Sequence, residues 1–406
     1  MPSTLPDGDP APADGGLPES ALASAGRTPF GVYVHVPFCA SRCGYCDFNT
    51  YTATELGGGA SQDEYAATAG SELRLAAKVL GGRPGARTVF FGGGTPTLLP
   101  AADLVKLLRA VDHNLGVNSD AEITTEANPE SVTPASLAEL RAGGFNRISF
   151  GMQSVRRHVL AVLDRAHSPG RAAEAVAEAK AAGFEHVNVD LIYGTPGESD
   201  ADWRASLEAA VETGVDHVSA YSLIVEPGTR LASRVADGDL PMPDDDVLAD
   251  RYAIADEVLG AAGFRWYEVS NWARSPLAQS RHNVLYWTGA NWWGVGPGAH
   301  SHVGGVRWWN VKHPRDYASR LAASRSPAAA REVLTDDDKR VERVMLALRL
   351  RDGLSLSDLD DAGRAATLQA RDDGLLEPEP FDRGRAVLTF RGRLLADAVV
   401  RAVIGA

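Results

Sequence analysis

Cys39, Cys43 and Cys46 are all the thiols of this 406-residue chain, and they share one short loop, Cys-x3-Cys-x2-Cys. Thiolate is a soft donor that suits iron–sulfur clusters, zinc or Cu(I). The spacing is not the paired Cys-x2-Cys of a zinc finger, and no second pair follows downstream. A four-iron cubane asks for one ligand per iron, so three thiolates leave its last iron free to bind another molecule. Catalytic metal sites keep a position open in this way, whereas structural ones close it. A three-cysteine zinc site completed by a distant histidine, or small apolar cysteines in a core, are the alternatives. Arg42, Gly44 and Asp47 make the segment a polar loop, and spacing and ligand softness together favour the iron–sulfur reading.

Such a loop needs a rigid platform, and the chain from Phe30 onward supplies one. Short apolar runs at 32–36, 88–91, 122–126, 147–150, 186–192 and 217–223 predict strands. Ala-rich amphipathic stretches at 65–80, 102–112, 134–142, 171–182 and 202–213 predict helices between them, with Gly81, Gly143 and Gly183 at helix ends. Repeated strand–helix units require a parallel sheet with helices outside, because parallel strands need crossover connections. Six units, where a closed barrel has eight, predict an α/β fold with a partial, open (β/α)6 barrel. Its chemistry then belongs at the C-terminal ends of the strands, and the cysteine loop directly follows the first of them.

The other strand ends carry polar groups as well. Strand two runs into Gly92-Gly93-Gly94-Thr95-Pro96, where glycines let backbone approach a ligand closely, or simply make a tight turn. Strand three ends at Glu126, a carboxylate costly to bury unless paired; it either meets a ligand or caps the helix near Pro129. Strand four presents Gln153, and strand five carries Asp190 within the apolar run Val-Asn-Val-Asp-Leu-Ile. An acid in a buried strand has a ligand to meet or an arginine to pair with. Arg165 reads as a pocket guanidinium suited to carboxylate recognition, or as a helix arginine paired with Asp164.

On these residues the chain resembles the radical S-adenosylmethionine (SAM) enzymes, whose hallmark is this cysteine loop with an aromatic residue, here Tyr45, before the last cysteine. The resemblance implies a [4Fe-4S] cluster held by Cys39, Cys43 and Cys46, whose open iron chelates the methionine end of SAM. In the family, one electron from the cluster then cleaves the sulfonium and yields a 5′-deoxyadenosyl radical. The set Tyr33, Gly93, Gly94, Thr95, Glu126, Gln153, Arg165 and Asp190 is similar to the SAM pocket of a narrower branch, the oxygen-independent coproporphyrinogen III oxidase-like proteins. There the glycine loop would hold the methionine amino group and Glu126 the ribose region. Gln153, Arg165 and Asp190 would meet other polar groups of the cofactor.

Within that branch, the decarboxylating oxidases carry a further cysteine two residues beyond the triad, and here Phe48 stands in that place. The motif His282-Asn283-Val284-Leu285-Tyr286-Trp287 is similar to one associated with haem binding in the branch's haem chaperones, with His282 as the candidate iron ligand. The alternative is a hydrogen-bonded core histidine beneath Trp287, Trp292, Trp293, Trp308 and Trp309. His300 and His302, at the end of the loop Gly294-Val-Gly-Pro-Gly-Ala-His-Ser, are further candidate ligands; this loop is expected to pack against the barrel mouth. The resemblance therefore implies a haem-binding protein that delivers haem to acceptor proteins, membrane-bound cytochromes among them, with an electron donor for the cluster. The competing expectation is an enzyme that decarboxylates coproporphyrinogen III, so whether the chain is an enzyme stays open here.

Composition agrees with an ordinary globular protein, at 44% hydrophobic and 23% charged residues. A net charge of -13 argues against a protein that lives by binding nucleic-acid phosphates. No apolar run is long enough to span a bilayer. With every thiol in one loop, a disulfide framework is not expected and a cytoplasmic home is. Residues 1–28, rich in Pro, Ala, Gly, Ser and Asp, read as a disordered leader. The expected division is then 29–235 for the barrel, 236–325 for an α+β extension bearing the His-Asn-x-x-Tyr-Trp motif, and 326–406 for a small, mostly helical, winged-helix-like domain. The stretch 320–335 reads as a linker. A dimer is compatible with this reading.

Overall fold

The computed structural model describes residues 6–56, 62–165, 168 and 170–405. Six parallel strands, β1 (Phe30–Val36), β2 (Ala86–Gly93), β3 (Val117–Ala127), β4 (Arg147–Gln153), β5 (His186–Tyr193) and β6 (His217–Ser222), pair in sequence order. Between them run α1 (Gln62–Leu80), α2 (Ala101–Leu115), α3 (Pro134–Ala142), α4 (Arg171–Ala181) and α5 (Asp200–Glu212), and α6 (Asp245–Ala261) follows. Helices cover one face of these strands, and the other lines the barrel interior with polar side chains such as Arg147, Ser149 and Gln153; β4 is buried along its whole length. Polar capping sets the helix starts. Thr133 and Ser199 each close a capping box at α3 and α5.

The sheet continues past both ends of the barrel. Beyond β6 lies the hairpin β7 (Arg265–Glu268) and β8 (Asn271–Ala273). After the short helix α7 (Arg281–Trp287), β9 (Asn291–Val295) pairs in parallel with β1 at the opposite edge. It is followed antiparallel by β10 (His300–Val303), β11 (Val306–Asn310) and, after α8 (Pro314–Ala322), β12 (Ala328–Val333). The result is a thirteen-stranded open sheet with the expected parallel half-barrel at its centre. Among the described residues no helix is long and apolar enough to cross a membrane.

Two expectations are corrected at the β12 edge. Residues 6–28 are not a free leader: Asp9–Pro10 pairs with β12, Ser326 N donates to Ala13 O at 2.7 Å, and Ala21 is fully buried. Composition predicts disorder when a segment cannot form its own core. This one needs none, because it covers a sheet edge whose unpaired backbone groups it satisfies. Residues 1–5 lie outside the described residues. The linker expected at 320–335 is likewise the end of α8 followed by β12, a strand of the large sheet.

A second core, with Val344, Leu348, Leu354, Leu376, Val399 and Val403, joins α9 (Asp336–Ala347), α10 (Asp361–Asp372) and α11 (Ala396–Ile404) around the two-stranded ribbon β13 (Leu354–Ser355) and β14 (Arg385–Ala386). The second strand of the ribbon ends at Ala386, and Phe390–Leu394 is helical. Arg393 anchors this unit to α6 through Asp256 at 2.7 Å while lying over the Trp266 ring.

Candidate functional site

The cysteine loop leaves β1 at Val36 and is closed at its base by two backbone bonds, Tyr51 N to Pro37 O at 2.7 Å and Cys39 N to Tyr51 O at 3.0 Å. Its tip turns where Cys46 N donates to Cys43 O, and Gly44 is stitched to Leu163 and Leu231 through its own N–H and carbonyl. The Gly92-Gly93-Gly94 loop lies directly against it. Gly94 N donates to Val36 O at 2.8 Å and Thr95 N to Phe38 O at 2.7 Å. A Cβ on Gly94 would sit 2.4 Å from Phe38 O, so the backbone contact explains the glycine. Gly93 adopts φ 108° and faces the His35 ring, which a Cβ there would meet at 2.5 Å.

Two of the thiols, Cys39 and Cys46, resist ionisation because they are buried. Burial pushes Cys46 up to about 11 with its two fellow cysteines adding to the shift, and burial likewise raises Cys39. Arg165 donates from Nη1 to Cys43 Sγ at 3.2 Å. Among the described residues no three thiol, imidazole or carboxylate groups already stand in a metal-holding arrangement. The donor set nonetheless fits a cluster: three soft sulfurs on one loop, a guanidinium beside them, and a glycine cradle that no side chain fills.

Around this loop the structure gathers the polar groups of the other strand ends. Glu126 accepts from Gly93 N at 3.0 Å, and burial, reinforced by Asp190, pushes its carboxyl up to about 8. The cap near Pro129 is made by Asn128 instead. Asp190 accepts from Ser149 Oγ at 2.7 Å and Asn188 Nδ2 at 2.8 Å, and burial raises it too. Arg165 does not pair with Asp164, which lies 3.5 Å from Arg230; its Nη2 donates to Gly151 O and its buried Nε has no partner. Gln153 sits in the left-handed region at φ 61° with a buried, unpartnered Oε1. Strained backbone and an orphaned amide oxygen together mark a place shaped for a ligand. Tyr45, on the cysteine loop, packs against a small apolar group that includes Leu163 and Leu231. Tyr33, inside the barrel, bonds His35 Nδ1 through its hydroxyl at 3.0 Å.

A second feature opens beside these groups: a cavity of about 450 Å³ between the barrel's concave face, the β9–β11 extension and α9. Tyr33, Phe48, Tyr286, Trp292 and Met345 give it mainly apolar walls, and His300 and His302 line it as well. His282 does not line it. It is buried under the wall, its Nδ1 bonded to Thr88 Oγ1 and its Nε2 to Tyr286 OH, both at 2.8 Å, with its ring stacked on Phe90 at 5.0 Å. In this structure His282 takes the arrangement of the hydrogen-bonded core histidine, the alternative to an iron ligand.

Several residues that position the site escaped sequence reasoning. His35 bridges Tyr33 and, through Nε2, Asn49 O at 2.8 Å, tying β1 to the cysteine loop. Asn49 in turn donates to Pro297 O and Lys312 O, docking the Gly-x-Gly-x-Gly loop on the barrel mouth as expected. Glu122 accepts from the N–H groups of Arg281 and His282 and so holds the start of α7. The spacing of Tyr33 and His35, two apart on one strand face, was the available signal for the first of these.

Comparison with known proteins follows the same outline. Residues 33–210 match the radical SAM superfamily. Over 384 residues the chain is 56% identical to the haem chaperone HemW of Mycobacterium tuberculosis, covering 95% of this chain and 97% of that protein. It is 32% identical over 383 residues to HemW of Bacillus subtilis, covering 92% and 98%. Among solved structures, the coproporphyrinogen III oxidase HemN of Escherichia coli, a radical SAM enzyme, matches with a TM-score of 0.81 over 96% of this chain and 94% of that one. At 24% identity that likeness speaks to the fold alone.

Proposed function

The chain belongs to the haem chaperone HemW family of radical SAM proteins, and from that membership we propose that it binds haem and hands it to haem-dependent proteins. The observation that carries the reading is the aromatic cavity of about 450 Å³ that opens beside the cysteine loop, of the size and lining that cofactor-sized ligands take. Cys39, Cys43 and Cys46 would hold a [4Fe-4S] cluster. The Gly93–Gly94 backbone, Glu126, Gln153, Arg165 and Asp190 would hold SAM beside it, with Thr95, Tyr33 and Tyr45 shaping the surround. When bound, the cluster offers SAM an open iron and an electron. The chain's own part is to keep that site dry and fixed: Thr95 N and Gly94 N tie the glycine loop to the cysteine loop, and the buried Arg165 places a cation beside Cys43.

Haem-acceptor proteins, membrane-bound cytochromes among them, an electron donor and a cytoplasmic setting belong to the same proposal, as does a dimer. The competing reading is SAM-dependent decarboxylation of coproporphyrinogen III. Phe48, which stands where the oxidases carry a fourth cysteine and here lines the cavity wall, speaks against it. The experiment is to reconstitute the cluster anaerobically and offer haem and coproporphyrinogen III separately. Stoichiometric haem uptake with a shifted Soret band, and no protoporphyrinogen, is the expected result. Turnover of coproporphyrinogen would replace the chaperone reading with the oxidase.

A further inference from the structure

Four imidazoles stand on or beneath the cavity wall, and their hydrogen bonds separate them. His35 is engaged at both ring nitrogens by Tyr33 and Asn49. His282 is engaged at both by Thr88 and Tyr286. His302 meets Ala290 O through Nδ1 at 2.9 Å and accepts from Gly305 N at Nε2 at 3.1 Å. His300 differs. Among the described residues no hydrogen bond engages its ring, and its buried Nε2 has no partner. An iron ligand must offer a free lone pair. For the first three, ligation would break bonds already made and orphan buried groups at about 1–3 kcal/mol each.

The register of the sheet explains how His300 comes to the cavity. Strand β10 alternates its side chains, so His300 and His302 share one face while Ser301 and Val303 take the other. Across the ladder His302 lies opposite Trp292 and Arg307, and His300 opposite Trp309, on whose ring it stacks at 5.9 Å. Helix α9 closes over this face, with Met345 in the wall and Glu342 paired to Arg307 at 2.5 Å.

We infer that haem seats in the cavity between the barrel, the β9–β11 extension and α9, with His300 and not His282 as its protein ligand to iron. The inference rests on the haem-binding reading above. In this arrangement the His-Asn-x-x-Tyr-Trp motif builds the wall. His282 holds Tyr286 by its hydroxyl, and Tyr286 sets its ring against Trp292 at 4.7 Å. Loss of His282 therefore weakens haem uptake without changing what binds the iron, and affinity alone does not separate the two histidines. The coordination signature does.

The test loads the full chain with ferric haem and records absorption and electron paramagnetic resonance spectra of wild type, His300→Gly and His282→Ala, with folding checked by circular dichroism. The expected result is a nitrogen-ligated iron in wild type that is lost in His300→Gly, with affinity falling about tenfold or more, and is restored by added imidazole. His282→Ala is expected to bind more weakly and keep the wild-type signature. A His300→Gly protein with unchanged spectrum and affinity overturns the assignment and leaves haem binding intact. So does a folded His282→Ala protein whose nitrogen ligation returns only with imidazole. Wild type that takes up no haem defeats the haem-binding reading itself and the assignment with it.

Discussion

Replacing Glu122 by alanine tests whether α7, which carries the His-Asn-x-x-Tyr-Trp motif, is held from beneath. Glu122 and Arg147 are each 2% exposed, with Arg147 Nη1 3.6 Å from the carboxylate. The same carboxylate accepts the first N–H groups of α7, from Arg281 at 3.1 Å and His282 at 3.0 Å. Arg147 keeps Ala278 O at 2.8 Å and already has an unpartnered Nη2, so the substitution strands a buried cation. Removing one partner of a buried pair costs about 3–5 kcal/mol, and losing a helix cap about 0.5–2 kcal/mol. The two share one carboxylate and do not add, which leaves about 4 kcal/mol. For a chain this long, each kcal/mol moves the melting temperature by roughly 1–2 °C when unfolding is cooperative. The expected loss is therefore roughly 4–8 °C by anaerobic calorimetry, with weaker haem uptake because Tyr286 rides on α7. Changing both residues, Glu122→Leu with Arg147→Met, should recover much of the stability, since apolar replacement of a buried pair is tolerated. A Glu122→Ala protein that melts within about 1 °C of wild type would refute the anchoring.

Three further outcomes are expected. Gly94→Ala drives a Cβ into Phe38 O at 2.4 Å, so iron and sulfide bound after anaerobic reconstitution should fall to less than half while far-ultraviolet circular dichroism stays unchanged; full loading would count against the loop-to-loop contact. Glu72 is wholly buried among Gly296 N, Asn310 and Tyr317, and burial raises its carboxyl from 4.5 to about 7. Its folded state holds a proton that the unfolded chain has released, so stability falls by about 3 kcal/mol as pH rises through that window. Glu72→Gln should lose that slope, and denaturant titrations giving parallel pH profiles for the two proteins would contradict it. Arg393→Ala removes the bonds to Asp256 at 2.7 and 3.0 Å and should cost about 1.5–3 kcal/mol. Hydrogen exchange should quicken in the second core around Val344 and Val399 with the barrel unaffected, and uniform protection would sink the prediction.

Local rules reached far into this protein. The cysteine triad, the six parallel strands and the placing of Gly93, Gly94, Glu126 and Gln153 at strand ends follow from short-range spacing, side-chain period and one rule about where parallel sheets collect ligands. None of these needs knowledge of a distant partner. Tertiary structure decided the rest. Asp9–Pro10 is held by pairing with β12, which itself pairs with β11, and composition does not record such remote partners. His282 is spoken for because Thr88, 194 residues away, lies at its Nδ1, whereas the buried Nε2 of His300 has no hydrogen-bond partner among the described residues. An imidazole's availability depends on its neighbours in space, and the cavity exists only where α9 closes over β10 and β11. Sequence determined where the three thiols and the strand ends meet; the packing of remote segments decided which histidine keeps an unpartnered ring nitrogen.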